Sequence, residues 1–114
     1  MFQIQKIYIV VAMLNIEILV KGAKSSYYVR TIIDWLYEIK DIIENEYSAR
    51  VEIRHVEESS EIPEVHVCGE FAFLGLPDNE GELIEIIKSI VERKIIKQKN
   101  INLCSKKEEP GGRS

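Results

Sequence analysis

The most reactive side chains of this chain are its two cysteines, Cys68 and Cys104. A thiol that ionises near neutral pH can act as a redox-sensitive nucleophile. Cys68 lies five positions after Pro63, and the local alternation places it beside His66 on a predicted strand. Free cysteine is also a common small apolar filler, and we favour that role for Cys68. Cys104 lies beyond the last predicted helix, and a disulfide would need the C-terminal residues to fold back, so we expect two separate thiols.

A second group of residues suited to chemistry follows a predicted strand over residues 16–21, which Gly22 interrupts. Lys24, Ser25 and Ser26 stand where a helix is expected to begin. Free amides at a helix N-terminus, together with a lysine, can bind a phosphate, a carboxylate or a glutathione-like peptide. A serine in this place is also a common helix cap, and we favour the capping role.

Other classes of site are disfavoured by spacing and charge. His55 and His66 fall on different predicted strands, and neither cysteine has a partner at a zinc-binding spacing, so we expect no metal and no other cofactor. A net charge of -4 argues against nucleic-acid binding. The apolar run over residues 7–14 is too short to cross a bilayer and lacks a cleavage site, so we expect no membrane association and a cytoplasmic location.

The chain has 114 residues, which is enough for one domain with one core. Its composition is typical of a soluble globular protein, and its many Ile, Glu and Lys residues are typical of thermophilic proteins. We assign residues 1–14 to an N-terminal extension that forms a strand, residues 15–97 to the domain, and residues 98–114 to a flexible tail.

Alternating apolar residues predict strands, and apolar residues at steps of three and four predict helices. The predicted strands cover 16–21, 50–56, 64–68 and 71–74, and the predicted helices run from Ser25 or Ser26 to about Glu46 and from Asp78 or Asn79 to about Lys97. The order β-α-β-β-β-α predicts a two-layer α/β sandwich with a mixed four-stranded sheet. Its first two strands should be parallel, and its last two should form a hairpin that turns at Gly69-Glu70.

Both helices are expected to cover one apolar face of this sheet and to leave a charged face open. The predicted core face carries Ile18, Val20, Val51, Ile53, Val65, Val67, Phe71 and Phe73. The predicted open face carries Glu17, Glu52, Arg54, Glu64, His66 and Cys68. On the first helix, Tyr28, Trp35 and Ile42 fall in or near the apolar stripe, which predicts a packing role for them.

Residues 62–70, IPEVHVCGE, read as a hydrophobic residue, a proline, a strand, a glycine turn and a returning strand. Together with Gly75 and the capped helix after it, this pattern resembles the small archaeal and bacterial thioredoxin-like proteins related to glutaredoxin. The resemblance covers residues 15 to 92. It implies a thioredoxin-like fold, a cis peptide bond before Pro63, and a backbone at Ile62 that can pair with an extended peptide.

The Cys-x-x-Cys motif of that family is missing from this chain. In one register its cysteine positions hold Ser25 and Tyr28, and in the register of the selenoprotein W-like branch they hold Lys21 and Lys24. Dithiol exchange needs a thiolate nucleophile and a second thiol that resolves the mixed disulfide. Neither register therefore supports thioredoxin or glutaredoxin activity.

The sequence thus favours a redox-inactive thioredoxin-fold module that binds a protein or peptide. The residues assigned to that site are Lys24, Ser25, Ser26, Ile62 and Pro63. Two alternatives stay open. One is a single-thiol redox protein or sensor that uses Cys68, and the other is a structural homodimer formed through an apolar N-terminal strand over residues 4–12.

Overall fold

The computed structural model describes residues 14–98 of the chain. The elements are β1 (Leu14–Gly22), α1 (Tyr27–Tyr47), β2 (Ala49–Glu57), β3 (Glu64–Val67), β4 (Glu70–Leu74) and α2 (Glu80–Gln98). This order confirms the predicted β-α-β-β-β-α arrangement. The predictions for the N-terminal extension, for Cys104 and for the C-terminal tail concern residues outside the described range.

The four strands form one mixed sheet in the order β2-β1-β3-β4. β1 pairs in parallel with β2, beginning at Leu14 opposite Ala49. β3 is antiparallel to both β1 and β4. The prediction of a parallel pair followed by an antiparallel hairpin is therefore confirmed.

The core lies between one face of the sheet and both helices. Alternate residues of β1, Ile16, Ile18 and Val20, are almost completely buried, as a period-two pattern requires. They belong to a single apolar cluster with Val29, Ile32, Leu36, Ile39, Ile43, Ala49, Val51, Val65, Val67, Leu83, Ile87, Ile90 and Val91. Because residues of both helices enter the same cluster, the helices cover the same face of the sheet.

The other face of the sheet carries polar pairs, as predicted. Arg54 donates to Glu17 at 2.7 Å, and His66 Nε2 lies 2.7 Å from the Glu64 carboxylate. Phe71 was expected on the core face, and that prediction is wrong. Its side chain is 52% exposed and its ring packs edge-on against His66. The β3–β4 register shifts between Val65 and His66, and this bulge reverses the side to which Phe71 points.

The β3–β4 hairpin turns at Cys68 and Gly69, one residue earlier than the predicted Gly69-Glu70. Val67 pairs with Glu70 across this two-residue loop. The φ angles of Cys68 and Gly69 are 50° and 82°, so both residues are left-handed, as in a type I′ turn. Cys68 is therefore a turn residue. The prediction that it lies on a strand is wrong.

Helix boundaries follow local capping. Asn79 Oδ1 accepts the Glu82 amide at 2.8 Å, which confirms the predicted start of α2. α1 is capped at its C-terminus by Ser48, which has a φ of 51° and donates its amide to the Glu44 carbonyl. Ile42 of α1 is exposed, contrary to the prediction that it joins the apolar stripe, whereas Trp35 packs against the core as predicted.

The outer edge of β2 is partly covered by a side chain of α1. The Val51 amide donates to Glu44 Oε2 at 2.9 Å, and Lys40 Nζ donates to the same oxygen at 2.9 Å. These two bonds hold the pKa of Glu44 below its usual value, and the bond from the Val51 amide has the larger effect. Within residues 14–98, neither helix combines the length and the apolar character that crossing a membrane requires.

Candidate functional site

The candidate site lies where the loop after β1, residues 23–26, meets the loop before β3, residues 58–63. Gly22 lies at this junction and packs closely against the first turn of α1. A β-carbon on Gly22 would stand 2.6 Å from Val29 Cγ2 and 3.6 Å from the Pro63 α-carbon. The Gly22 carbonyl accepts the Glu58 amide at 3.2 Å and lies 2.8 Å from His55 Nε2, which therefore carries a proton. A side chain at position 22 would therefore collide with Val29 in the first turn of α1.

Ser26 joins the two loops and starts α1. Its Oγ accepts the Tyr28 and Val29 amides at 3.1 and 3.3 Å, and it donates to the Glu61 carbonyl at 2.7 Å. The side chain is only 5% exposed. The Ala23 amide adds a backbone bond to the Ser60 carbonyl at 2.8 Å. The predicted capping role is confirmed, and of the two candidate serines it belongs to Ser26.

The remaining members of the predicted anion site are on the surface. Lys24 and Ser25 are exposed, and the Lys24 amide donates to Glu57 Oε1 at 3.1 Å. The amides of Tyr28 and Val29 are already bound by Ser26, so an anion would have to displace that hydroxyl to reach them. These contacts favour the cap over a phosphate or carboxylate site.

The loop that contains Pro63 differs from the expectation that the family resemblance raised. No peptide bond among the described residues is cis, so the expected cis bond before Pro63 is wrong. Pro63 is buried, and its carbonyl accepts the Gly75 amide at 2.8 Å. Ser60 Oγ lies 3.1 Å from both the amide and the carbonyl oxygen of Ile62. The Ile62 backbone that was expected to pair with a peptide is thus bonded within its own loop.

Three large side chains stand exposed on this junction, and we call them the two-loop patch: Tyr27, Tyr28 and Ile62. Their exposed fractions are 67%, 48% and 47%. The two tyrosine rings lie edge to face with centroids 5.6 Å apart. The prediction that Tyr28 packs in the core stripe is wrong, because its side chain is 48% exposed and does not belong to the core cluster.

A shallow depression continues from this patch along α1. It has a volume of about 370 Å³, and the described residues that line it are Tyr27, Arg30, Thr31, Ile33 and Asp34. Exposed carboxylates of Glu57, Glu58 and Glu61 flank the other loop. The junction therefore combines apolar and aromatic anchors with a charged rim, a composition typical of protein-binding surfaces.

Cys68 lies at the far end of β3 from Pro63, so it does not belong to this junction. It is disulfide-bonded and partly buried, and it packs against the core cluster. The expectation of a free thiol at position 68 is therefore wrong. Among the described residues, no group of three or more His, Cys, Asp or Glu side chains is arranged to hold a metal ion.

Comparison of the chain with protein-family models, curated proteins and solved structures finds no match. The class of the protein is thus defined by its architecture alone. It is an α/β protein with a mixed four-stranded sheet and two helices.

Proposed function

We propose that this protein is a thioredoxin-like binding module without dithiol redox activity, and that it recognises a protein or peptide through the two-loop patch. The element order, the parallel β1–β2 pair and the antiparallel β3–β4 hairpin support the thioredoxin-like assignment. The two loops of the junction contain no cysteine. Serine and lysine cannot replace the thiolate that disulfide exchange requires.

The observation that carries the proposal is an exposed set of large side chains on a fixed backbone. Ser26 holds the first turn of α1 against the Glu61 carbonyl, and this contact fixes Tyr27 and Tyr28 relative to Ile62. A surface that is ordered before binding loses less conformational entropy when a partner arrives. Tyrosine is also among the residues that most often dominate binding energy.

Recognition is assigned to side chains and not to strand pairing. The Ile62 amide and carbonyl both face Ser60 Oγ, so a peptide backbone would have to break those contacts before it could pair there. Tyrosine rings bury a large apolar area and keep a hydroxyl for one polar contact. A partner segment with an apolar or aromatic anchor residue suits this surface.

Selection of peptides from a random library on the full chain, followed by calorimetry on the selected peptide, tests the proposal. Tyr27→Ala and Ile62→Ser should each weaken binding by about tenfold or more, which is the effect of a hot-spot residue. Tyr37→Ala is the matched control, because Tyr37 is a 57% exposed tyrosine on the same helix outside the patch. Binding that is insensitive to both patch variants, or that falls equally in Tyr37→Ala, would refute the assignment.

A second experiment tests the proposal that the protein lacks dithiol redox activity. The purified protein should not accelerate the reduction of insulin by dithiothreitol above the background rate. Turnover that survives Cys68→Ser and Cys104→Ser together would show that a group other than a thiol carries the reaction, and it would overturn the proposed class.

A further inference from the structure

The two-loop patch has an acidic rim, which consists of the exposed residues Glu57, Glu58 and Glu61. All three precede Ile62 in the loop before β3 or at the end of β2. Within residues 14–98, no ion pair involves any of them. Glu57 Oε1 accepts the backbone amide of Lys24, which is neutral, so this bond does not compensate the charge. The rim therefore presents negative charge to any molecule that reaches the patch.

The backbone that carries the acidic rim is bonded to the loop that leads into α1. The Glu58 amide donates to the Gly22 carbonyl at 3.2 Å, and the Glu61 carbonyl accepts the Ser26 hydroxyl at 2.7 Å. The rim and the tyrosines of α1 therefore hold one arrangement before a partner arrives. A surface that is ordered in advance favours partners whose charge matches it, because less conformational entropy is lost on binding.

The other parts of the junction do not offset the rim. The depression along α1 contains Arg30 and Asp34, whose opposite charges balance each other. Lys24 is the single basic residue in the segments 23–26 and 58–63. Negative charge is therefore in excess at the junction, and it lies on the side of Ile62.

We infer, given the proposed peptide binding at the two-loop patch, that the partner is a basic peptide segment. Its apolar or aromatic anchor contacts Tyr27, Tyr28 and Ile62, and a lysine or arginine within a few residues of that anchor pairs with the acidic rim. Arginine suits this place best, because its guanidinium can bind a carboxylate through two parallel hydrogen bonds. Exposed tyrosine rings also attract cations through their faces.

The acidic rim disfavours two other occupants of the patch. A second copy of the chain would meet the patch in an isologous contact, in which the same surface lies on both sides of the interface. The two acidic rims would then lie close together, and like charges in an interface repel. An acidic peptide meets the same repulsion.

Selection from a random peptide library on the full chain, with the selected sequences compared with the unselected library, tests this inference. Lysine and arginine should be enriched near an apolar anchor, and aspartate and glutamate should be depleted. Selection on the double variant Glu58→Lys/Glu61→Lys should abolish or reverse this preference. The matched control is Glu52→Lys/Glu85→Lys, which makes the same change in net charge at exposed glutamates outside the junction and should keep the preference.

Calorimetry on one selected peptide measures the contribution of the rim. Glu58→Gln/Glu61→Gln should weaken binding by about three- to tenfold at an ionic strength of about 0.01 M, as expected for two exposed ion pairs. The effect should nearly vanish at about 1 M, because the Debye length falls from about 30 Å to about 3 Å. Circular dichroism establishes that each variant is folded.

The results separate the charge of the partner from the existence of the binding site. Selected peptides without enriched lysine or arginine, whose binding still falls in Tyr27→Ala, would overturn the inference and leave the proposed function standing. An equal change of preference in the Glu52→Lys/Glu85→Lys control would also overturn it, because net charge and not the rim would then select the peptides. Self-association of the free chain that Tyr27→Ala abolishes would show that a second copy occupies the patch. Failure to select any peptide would refute the proposed function and the inference together.

Discussion

Replacement of Ser26 by alanine removes two kinds of contact at once. The Ser26 hydroxyl caps the Tyr28 and Val29 amides and also donates to the Glu61 carbonyl of the opposite loop. Loss of an N-cap of this kind costs about 1 kcal/mol. Loss of a partly buried hydrogen bond costs about 1 kcal/mol more. We therefore expect Ser26→Ala to lower the free energy of unfolding by about 2 kcal/mol.

Urea denaturation followed by circular dichroism measures this change, as a fall in the midpoint of about 1 M. Ser25→Ala is the matched control, because Ser25 is an exposed neighbour of the same type, and it should cost less than 0.5 kcal/mol by the rough scale for surface substitutions. Ser26→Gly separates the two contacts. Glycine is nearly as good a cap as serine but cannot bond to Glu61, so it should lose about 1 kcal/mol.

The reasoning fails if Ser26→Ala and Ser25→Ala have the same stability. It fails in part if Ser26→Gly is as damaging as Ser26→Ala, because the cap would then contribute little and the bridge to Glu61 would carry the whole effect. The variant should also bind a selected peptide less tightly, since the bridge fixes the tyrosines relative to Ile62.

Further predictions concern the core, pH and the N-terminus. Ile87 is completely buried, so Ile87→Ala should lower the free energy of unfolding measured with denaturant by about 2–5 kcal/mol. Glu52 is exposed, and Glu52→Ala should lower it by less than about 0.5 kcal/mol. Similar losses in the two variants would contradict a core on one face of the sheet. The pKa of Glu44 is lowered in the folded protein, so its ionised carboxylate stabilises the fold above the ordinary carboxyl pKa. This contribution to the free energy of unfolding is lost as the pH falls through the pKa that Glu44 has in the folded state. Between about pH 5 and pH 3, the free energy of unfolding should therefore fall less in Glu44→Gln than in the wild type. Equal falls in the two proteins would refute this prediction. Deletion of residues 1–12 should change the mass by light scattering or the melting temperature; no change in either would mean that the segment does not dock.

The element order could be predicted from the sequence because alternation and helical periodicity are strong along this chain. Ile16, Ile18 and Val20 alternate with polar residues, and their complete burial follows directly. Ser26 could be named only as one of two candidate caps, because the choice depends on where the first helical amides point. The bond from Ser26 to Glu61 joins residues far apart in sequence, and no local pattern indicates it.

The predictions from sequence were wrong where a local irregularity changes the direction of a side chain or the position of a turn. Strict alternation along β4 predicts that Phe71 faces the core, but the bulge beside His66 turns its side chain to the open face. Cys68 was placed on a strand because the alternation continues through it and the turn was assigned to Gly69-Glu70, whereas the structure uses it as a turn residue. Tyr28 lies near the core stripe by its spacing, yet periodicity alone does not show that 48% of its side chain stays exposed.

The Glu44 contact on β2 also bears on how copies of this protein would aggregate. An edge strand presents outward amides and carbonyls that a strand of another molecule can pair with. The Glu44 carboxylate already holds the Val51 amide, so an incoming strand meets a side chain at the start of this edge. Protonation of Glu44 in acid removes the charge that strengthens this bond. Acid should therefore weaken the block at Val51 and make this edge more accessible to a strand of another molecule.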